Sequence, residues 1–254
     1  MTKHRHMMAA LTLALGLGVS GAASAAISPG DGANLNPAGE IFWSVWDAAA
    51  QVSYTRDTGI SVLDFLANPN QSFTFAPDQL YLDTFGSVDP STLVYSVGGF
   101  NARFEDWPCC YGMVISSNSA NVFSPDVTAL ATTLATGGFY AAGVNADAGD
   151  LVNFDVELSA LSHPGSSGYY DGEFWGGDIG FTVPFQTGST VGTELLAWSL
   201  LLDEDGFTVN STSYGSFLLD ADGTFSYGQV AVPVPAAVWL FASALFGLAT
   251  RRRR

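Results

Sequence analysis

Short apolar runs, broken at close intervals by Gly, Asn, Asp and Pro, constrain this chain more than any other feature. Residues 40–46 (EIFWSVW) and 51–56 (QVSYTR) are aromatic and β-branched, and only Asp-Ala-Ala-Ala separates them. Residues 72–75, 93–97, 113–116, 151–158 and 179–185 have similar character, as do 194–202, 207–211, 216–219 and 224–227. Such runs with turn residues between them predict strands at the spacing of a sandwich or barrel. Two stretches depart from the pattern. Residues 61–67, and residues 126–136 after Ser124-Pro125, carry helix signals. The expectation is a mainly β domain over residues 26–230, a single antiparallel, jelly-roll-like sandwich with one or two short helices. That span is long enough for one sizeable core.

Both ends fall outside that pattern. Residues 1–25 have a basic start (Lys3, Arg5), an apolar stretch over 9–19 and the small residues Ala23-Ser24-Ala25. This is the layout of a secretory signal peptide, with cleavage between Ala25 and Ala26. At the other end, residues 231–254 hold Val232, Pro233, Val234, Pro235 and Ala236, then an uncharged apolar run over 237–249, then Arg251, Arg252, Arg253 and Arg254. Each proline lacks an N–H and fixes its own φ, so 233–236 continues neither helix nor strand. The apolar run satisfies its backbone as a helix in a bilayer. It is short of the ~20 residues that a full span needs, and counting from Val230 with snorkelling arginines brings it close. The arginines hold that end on the cytoplasmic side.

The hinge, Trp-containing helix and terminal basic cluster together resemble the VPLPA variant of the PEP-CTERM sorting signal. Val234 stands where the commoner forms have Leu or Glu. The resemblance implies recognition by exosortase, an integral-membrane cysteine transpeptidase of Gram-negative bacteria that make exopolysaccharide. It implies delivery to the cell surface or extracellular matrix, with transient anchoring by the C-terminal helix. It covers the tail alone and implies an address, not an activity. Residues 44–65 (SVWDAAAQVSYTRDTGISVLDF) also resemble the start of uncharacterised ectodomains that carry this tail, which brings no chemistry with it.

Charge separates the body from its ends. Six of the eight basic residues lie in the two processing segments, so residues 26–230 keep only Arg56 and Arg103 against all 24 acids, a formal charge of about −22. A body this acidic is repelled by nucleic acid and anionic membranes and favours solubility and divalent cations.

An internal echo sits near the end of the body. Residues 199–206 (SLLLDEDG) and 216–223 (SFLLDADG) share the pattern S-x-L-L-D-x-D-G. One reading is two successive hairpins, because Asp-Gly suits turns with positive φ. The other is calcium, the one cofactor the sequence suggests, held by Asp203 with Asp205 and by Asp220 with Asp222. The rest of an EF-hand loop is absent.

Few residues offer catalysis. Cys109 and Cys110 are adjacent, and an oxidising compartment leaves a strained ring between neighbours, or links to another chain, as the alternatives to free thiols. Their Cα atoms lie about 3.8 Å apart across a trans peptide, below the usual disulfide range. His163 is the body's single histidine and reads as an exposed loop residue. No G-x-S-x-G, H-E-x-x-H or phosphate loop occurs.

Residues 168–178 (GYYDGEFWGGD) are the most function-like surface stretch. Tyr169, Tyr170 and Trp175 among carboxylates suit stacking on sugar rings; the same aromatics also suit capping a sandwich core. The leading expectation is an exported, non-enzymatic surface or matrix protein associated with exopolysaccharide. The alternative is an extracellular carbohydrate-binding protein or carbohydrate-active enzyme on the same fold.

Overall fold

The computed structural model describes residues 27, 39–102, 111–118, 127–148, 159–170 and 188–228. The described residues form a mainly β protein built on one antiparallel sheet. Its strands are β1 (Glu40–Asp47), β2 (Val52–Ser61), β3 (Phe73–Phe75), β4 (Leu93–Asn101), β5 (Gly112–Ser117), β6 (Ser159–Ser162), β7 (Gly188–Thr190), β8 (Leu195–Leu202), β9 (Val209–Leu219) and β10 (Phe225–Gly228). Across the sheet they run β3-β10-β9-β8-β5-β4-β1-β2-β6. The edge of β4 is shared: β7 pairs with Val94–Ser96 and β5 with Gly98–Asn101.

The sheet curls like half a barrel, and side chains that alternate along each strand supply two separate cores. On the concave side lie Ile41, Trp43 and Val45 of β1, Tyr54 of β2, Tyr95 and Val97 of β4, and Phe217, Phe225 and Tyr227 of the distant strands. Phe42 of β1 faces the other way, with Phe100, Met113, Ile115 and Leu200, into the convex-side core. Both faces of β1 are therefore covered, which is why its EIFWSVW run is almost continuously apolar.

Among the described residues three α-helices complete these cores. α1 (Val62–Ala67) and α2 (Gln79–Phe85) close the concave side, through Phe65 against Tyr227 and through Tyr81 and Phe85 against Tyr54. Their caps are local. The Ser61 hydroxyl accepts from the Asp64 N–H at 3.0 Å, and the Asp78 carboxylate accepts from the Tyr81 N–H at 2.8 Å. α3 (Val127–Asp147) covers the convex side with Leu130, Leu134, Tyr140, Ala141 and Val144.

Several expectations need correction. The helix expected over 126–136 runs on through Gly137-Gly138 to Asp147, and at 21 residues it is not short. Two mid-helix glycines cost roughly 1 kcal/mol each relative to alanine, but the buried Tyr140, Ala141 and Val144 beyond them offset that. The separate strands expected over 207–211 and 216–219 are one strand, β9. Its polar middle is held to β8, with Thr212 and Ser213 opposite Ser199 and Trp198, and the register shifts between Leu196 and Trp198. β6, β7 and α2 were not anticipated. The strands expected over 151–158 and 179–185 lie outside the described residues, as do the two processing segments. Among the described residues no helix is long and apolar enough to cross a membrane.

Candidate functional site

The best candidate surface is the edge where β6 and the following loop meet the C-terminal end of α3. β6 pairs with β2, Ser162 opposite Ser53 and Ser159 opposite Arg56. The chain then turns: the Ser166 N–H donates to the His163 carbonyl at 3.1 Å and the Tyr169 N–H to the Ser166 carbonyl at 3.2 Å. Asp147, the last residue of α3, fastens this loop. Its Oδ2 accepts from the Ser162 hydroxyl at 2.5 Å and from the Ser166 hydroxyl. Helix and loop approach backbone to backbone here. A Cβ on Gly143 would stand 2.3 Å from the Gly168 nitrogen, and one on Gly168 would stand 2.5 Å from the Val144 nitrogen.

The two tyrosines expected at this surface part company. Tyr169 is half-buried, and its hydroxyl accepts from the indole N–H of half-buried Trp46 at 2.9 Å. Tyr170 is fully buried in the convex-side core, and its N–H donates to the Ser53 hydroxyl at 3.0 Å. Tyr170 thus has no face to offer a sugar, which corrects the expectation for that residue and matches the core-capping alternative. Trp175 lies outside the described residues. His163 is exposed in its loop, as expected.

The four aspartates of the internal echo stand in two hairpin turns. Asp203 and Asp205 join β8 to β9, and Asp220 and Asp222 join β9 to β10. The 11-residue β9 separates the turns, so the two pairs sit at opposite ends of it. Both turns share one construction. The Gly206 and Gly223 N–H groups donate to the carbonyls of Asp203 and Asp220, at 3.0 and 2.9 Å, and both glycines have positive φ, 72° and 86°. Asp205 accepts from the Thr208 hydroxyl and from the N–H groups of Phe207 and Thr208, which hold its pKa below the usual carboxylate value. Asp222 is lowered in the same way, chiefly by the Thr224 N–H. These oxygens are occupied by their own turns. Among the described residues no three of His, Cys, Asp and Glu come together as a metal site. The four aspartates thus stand in two hairpin turns, as the first reading expects.

Sequence reasoning missed two buried polar clusters. Ser44, Thr55 and Tyr140 close a triangle of hydroxyls, with O···O separations of 2.8, 2.9 and 2.7 Å, that pins α3 to β1 and β2. Burial pushes the Tyr140 hydroxyl up to about 12. On the concave side, Tyr54 donates to Asp78 Oδ2 at 2.8 Å, and Arg56 donates to the Ala76 carbonyl at 2.6 Å while lying over the Phe75 ring. Burial alone would raise Asp78. Hydrogen bonds from Ser159, the Tyr81 N–H and Tyr54, with the Arg56 charge, hold it below the usual value instead. Both clusters tie elements together and face inward. The alternation of Ser, Thr and Arg with Tyr along β2 was the available signal, but their partners lie on β1, on β3, on α3, at the Asp78 cap of α2 and in the loop before it.

Cys109, Cys110, Ala25, Ala26, Val232, Pro233, Val234, Pro235, Ala236 and Arg251 to Arg254 lie outside the described residues. No protein-family description, curated protein or solved structure matches this chain.

Proposed function

We propose that this chain is an exported, non-enzymatic protein of the cell surface or extracellular matrix, delivered by exosortase-type processing and associated with exopolysaccharide. One observation carries the reading. The hinge of Val232 to Ala236, the uncharged run over 237–249 and the four terminal arginines stand in the order a membrane-held sorting tail requires. The acidic body supports it, since a formal charge of about −22 favours solubility outside the cell over contact with anionic membranes. The partners are then the export machinery, an exosortase-type transpeptidase and, before processing, the bilayer; nucleic acid is not among them.

The curl of the sheet also supports reading its two halves as the facing layers of a jelly-roll-like sandwich, with aromatic rings from both halves meeting between them.

Replacing Arg251 to Arg254 with serine in the producing cell tests the sorting reading. The expected result is retention or misrouting of a protein whose body remains folded. Unchanged surface delivery contradicts sorting through this tail, and loss of the fold assigns the tail to a core helix.

A second reading, glycan contact at the 159–170 edge, is favoured by one arrangement. The half-buried Trp46–Tyr169 pair lies beside the Asp147–Ser162–Ser166 cluster, because Trp46 pairs with Ser53, and Ser53 with Ser162. Aromatic surface next to hydroxyl and carboxylate groups suits sugar rings. A polysaccharide panel, scored separately for binding and for product release, tests it. Binding lost in Trp46→Ala supports the reading. Turnover lost with a single carboxylate substitution contradicts the non-enzymatic assignment.

A further inference from the structure

Ile27 lies far from the next described residue in sequence, yet it is fully buried in the convex-side core. One side chain holds its main chain. The Ile27 N–H donates to Asn145 Oδ1 at 3.0 Å, and Asn145 Nδ2 donates to the Ile27 carbonyl at 3.1 Å. A primary amide has one acceptor oxygen and two N–H donors. Asn145 therefore satisfies both backbone groups of residue 27 as a neighbouring strand would. Extended peptides are bound this way at sheet edges, where main-chain hydrogen bonds give affinity and a pocket takes the side chain. Here the pocket is apolar and the edge is a single residue near the end of α3.

We propose that the C-terminal end of α3 is a receptor for the chain's own N-terminal segment, with Ile27 as its anchor, and that a seated Ile27 shields the Ala25–Ala26 bond, so that a processed chain is cut before Ile27 seats. The timing rests on the signal-peptide reading; the receptor does not. Consecutive Cα atoms are about 3.8 Å apart, so the scissile bond is one residue from a buried, doubly bonded main chain. A peptidase must hold the residues after the bond extended, with their backbone groups free. Seated Ile27 has neither group free. A seated Ile27 therefore blocks cleavage, and in a processed chain cleavage comes first. The seated strap then protects the new N-terminus and ties it to the helix that covers the convex core.

Hydrogen exchange on the protein as purified from its producing cell, with intact mass recorded on the same sample, tests both parts. The Ile27 amide is expected to exchange at least about tenfold faster in Asn145→Ala than in the parent, while core amides such as those of Tyr54 and Val97 keep their protection. A general loss of structure would speed all of them. Ile27→Ser provides a second variant, because it empties the pocket but keeps both backbone bonds, and it should keep more protection than Asn145→Ala. An Ile27 amide that exchanges freely in the parent overturns the receptor. For the timing, the full precursor is offered to signal peptidase folded in micelles and unfolded. The folded form is expected to be cut at least about tenfold more slowly, and Asn145→Ala should restore cutting. Equal rates overturn the order of events. A purified protein that still begins at Met1 overturns the signal-peptide reading and the timing with it, while protection of Ile27 in that sample still decides the receptor.

Discussion

The indole of Trp43 lies on the ring of Phe225, with centroids 5.2 Å apart and planes 23° from parallel. Five strand-to-strand steps separate β1 from β10 in the sheet. Laid flat, those steps would cover about 24 Å at the usual ~4.8 Å spacing. The contact thus measures how far the sheet curls, and the aromatic rings of α1, α2 and β9 fill the space it encloses. Trp43→Ala and Phe225→Ala should each cost about 3–5 kcal/mol. Because they meet across the curl, a double-mutant cycle should show coupling of about 0.5–1.5 kcal/mol. Denaturant unfolding measures both, and strict additivity would mean that the two halves of the sheet do not meet here. Among the described residues the Trp43 indole N–H has no hydrogen-bond partner, so Trp43→Phe should cost less than Trp43→Ala.

The hydroxyl triangle makes a prediction about non-additivity. Tyr140→Phe or Ser44→Ala leaves the other two hydroxyls bonded to each other, so each single change should cost about 1 kcal/mol. The double variant leaves the buried Thr55 hydroxyl without either of these partners. It should cost more than the sum of the singles, because an unsatisfied buried polar group carries its full desolvation penalty. Chemical denaturation of the four proteins gives the comparison.

Asp57 predicts a pH dependence. Burial raises its carboxyl to about 7, partly offset by the Gly59 and Thr58 N–H groups and the Arg56 charge. A folded-state value above the unfolded one means that the native state holds the proton more tightly. The contribution is full below the unfolded value near 4 and is lost as pH rises through about 7. Asn mimics the protonated form and still accepts from Gly59. Asp57→Asn should therefore be near neutral at low pH and raise Tm at pH 8. Thermal melts from pH 4 to 8 on both proteins isolate this residue from the charge of the whole body. An unchanged difference across that range contradicts the assignment.

The two echo turns predict unequal glycine substitutions. Gly206 and Gly223 both have positive φ, which disfavours alanine by roughly 1 kcal/mol. At Gly223 a Cβ would also stand 2.3 Å from the Tyr81 ring. Gly223→Ala should therefore lower Tm well beyond Gly206→Ala. Millimolar calcium or a chelator should leave Tm unchanged, since a ligand that binds the native state must raise it. A calcium-dependent rise would restore the metal reading of Asp203, Asp205, Asp220 and Asp222.

The strands were legible where apolar residues came in close runs of three or four, as Ile41 to Trp43 in β1, Leu93 to Tyr95 in β4 and Leu195 to Trp198 in β8. β6 and β7 were not, because Ser-Ala-Leu-Ser and Gly-Ser-Thr carry no run and owe their pairing to β2 and β4. α2 left a fainter trace, the Asp78 cap with Tyr81 and Phe85 four apart, in a stretch too short to declare a period. The echo turns were readable because Asp-Gly chemistry is local. The Trp46–Tyr169 contact and the Asn145 clamp were not, since each joins residues more than 110 positions apart. Tyr169 and Tyr170 show the limit most clearly. Neighbours of one residue type went to a surface pair and to a core, and their long-range partners decided which.

Intact mass spectrometry of the protein from surface and medium fractions tests the central claim most directly. The account predicts a species that begins at Ala26 and ends near the Pro233–Ala236 hinge, without the C-terminal run. A released species that still carries Trp239 and Arg251 to Arg254 would contradict processing at the tail and leave only a membrane anchor.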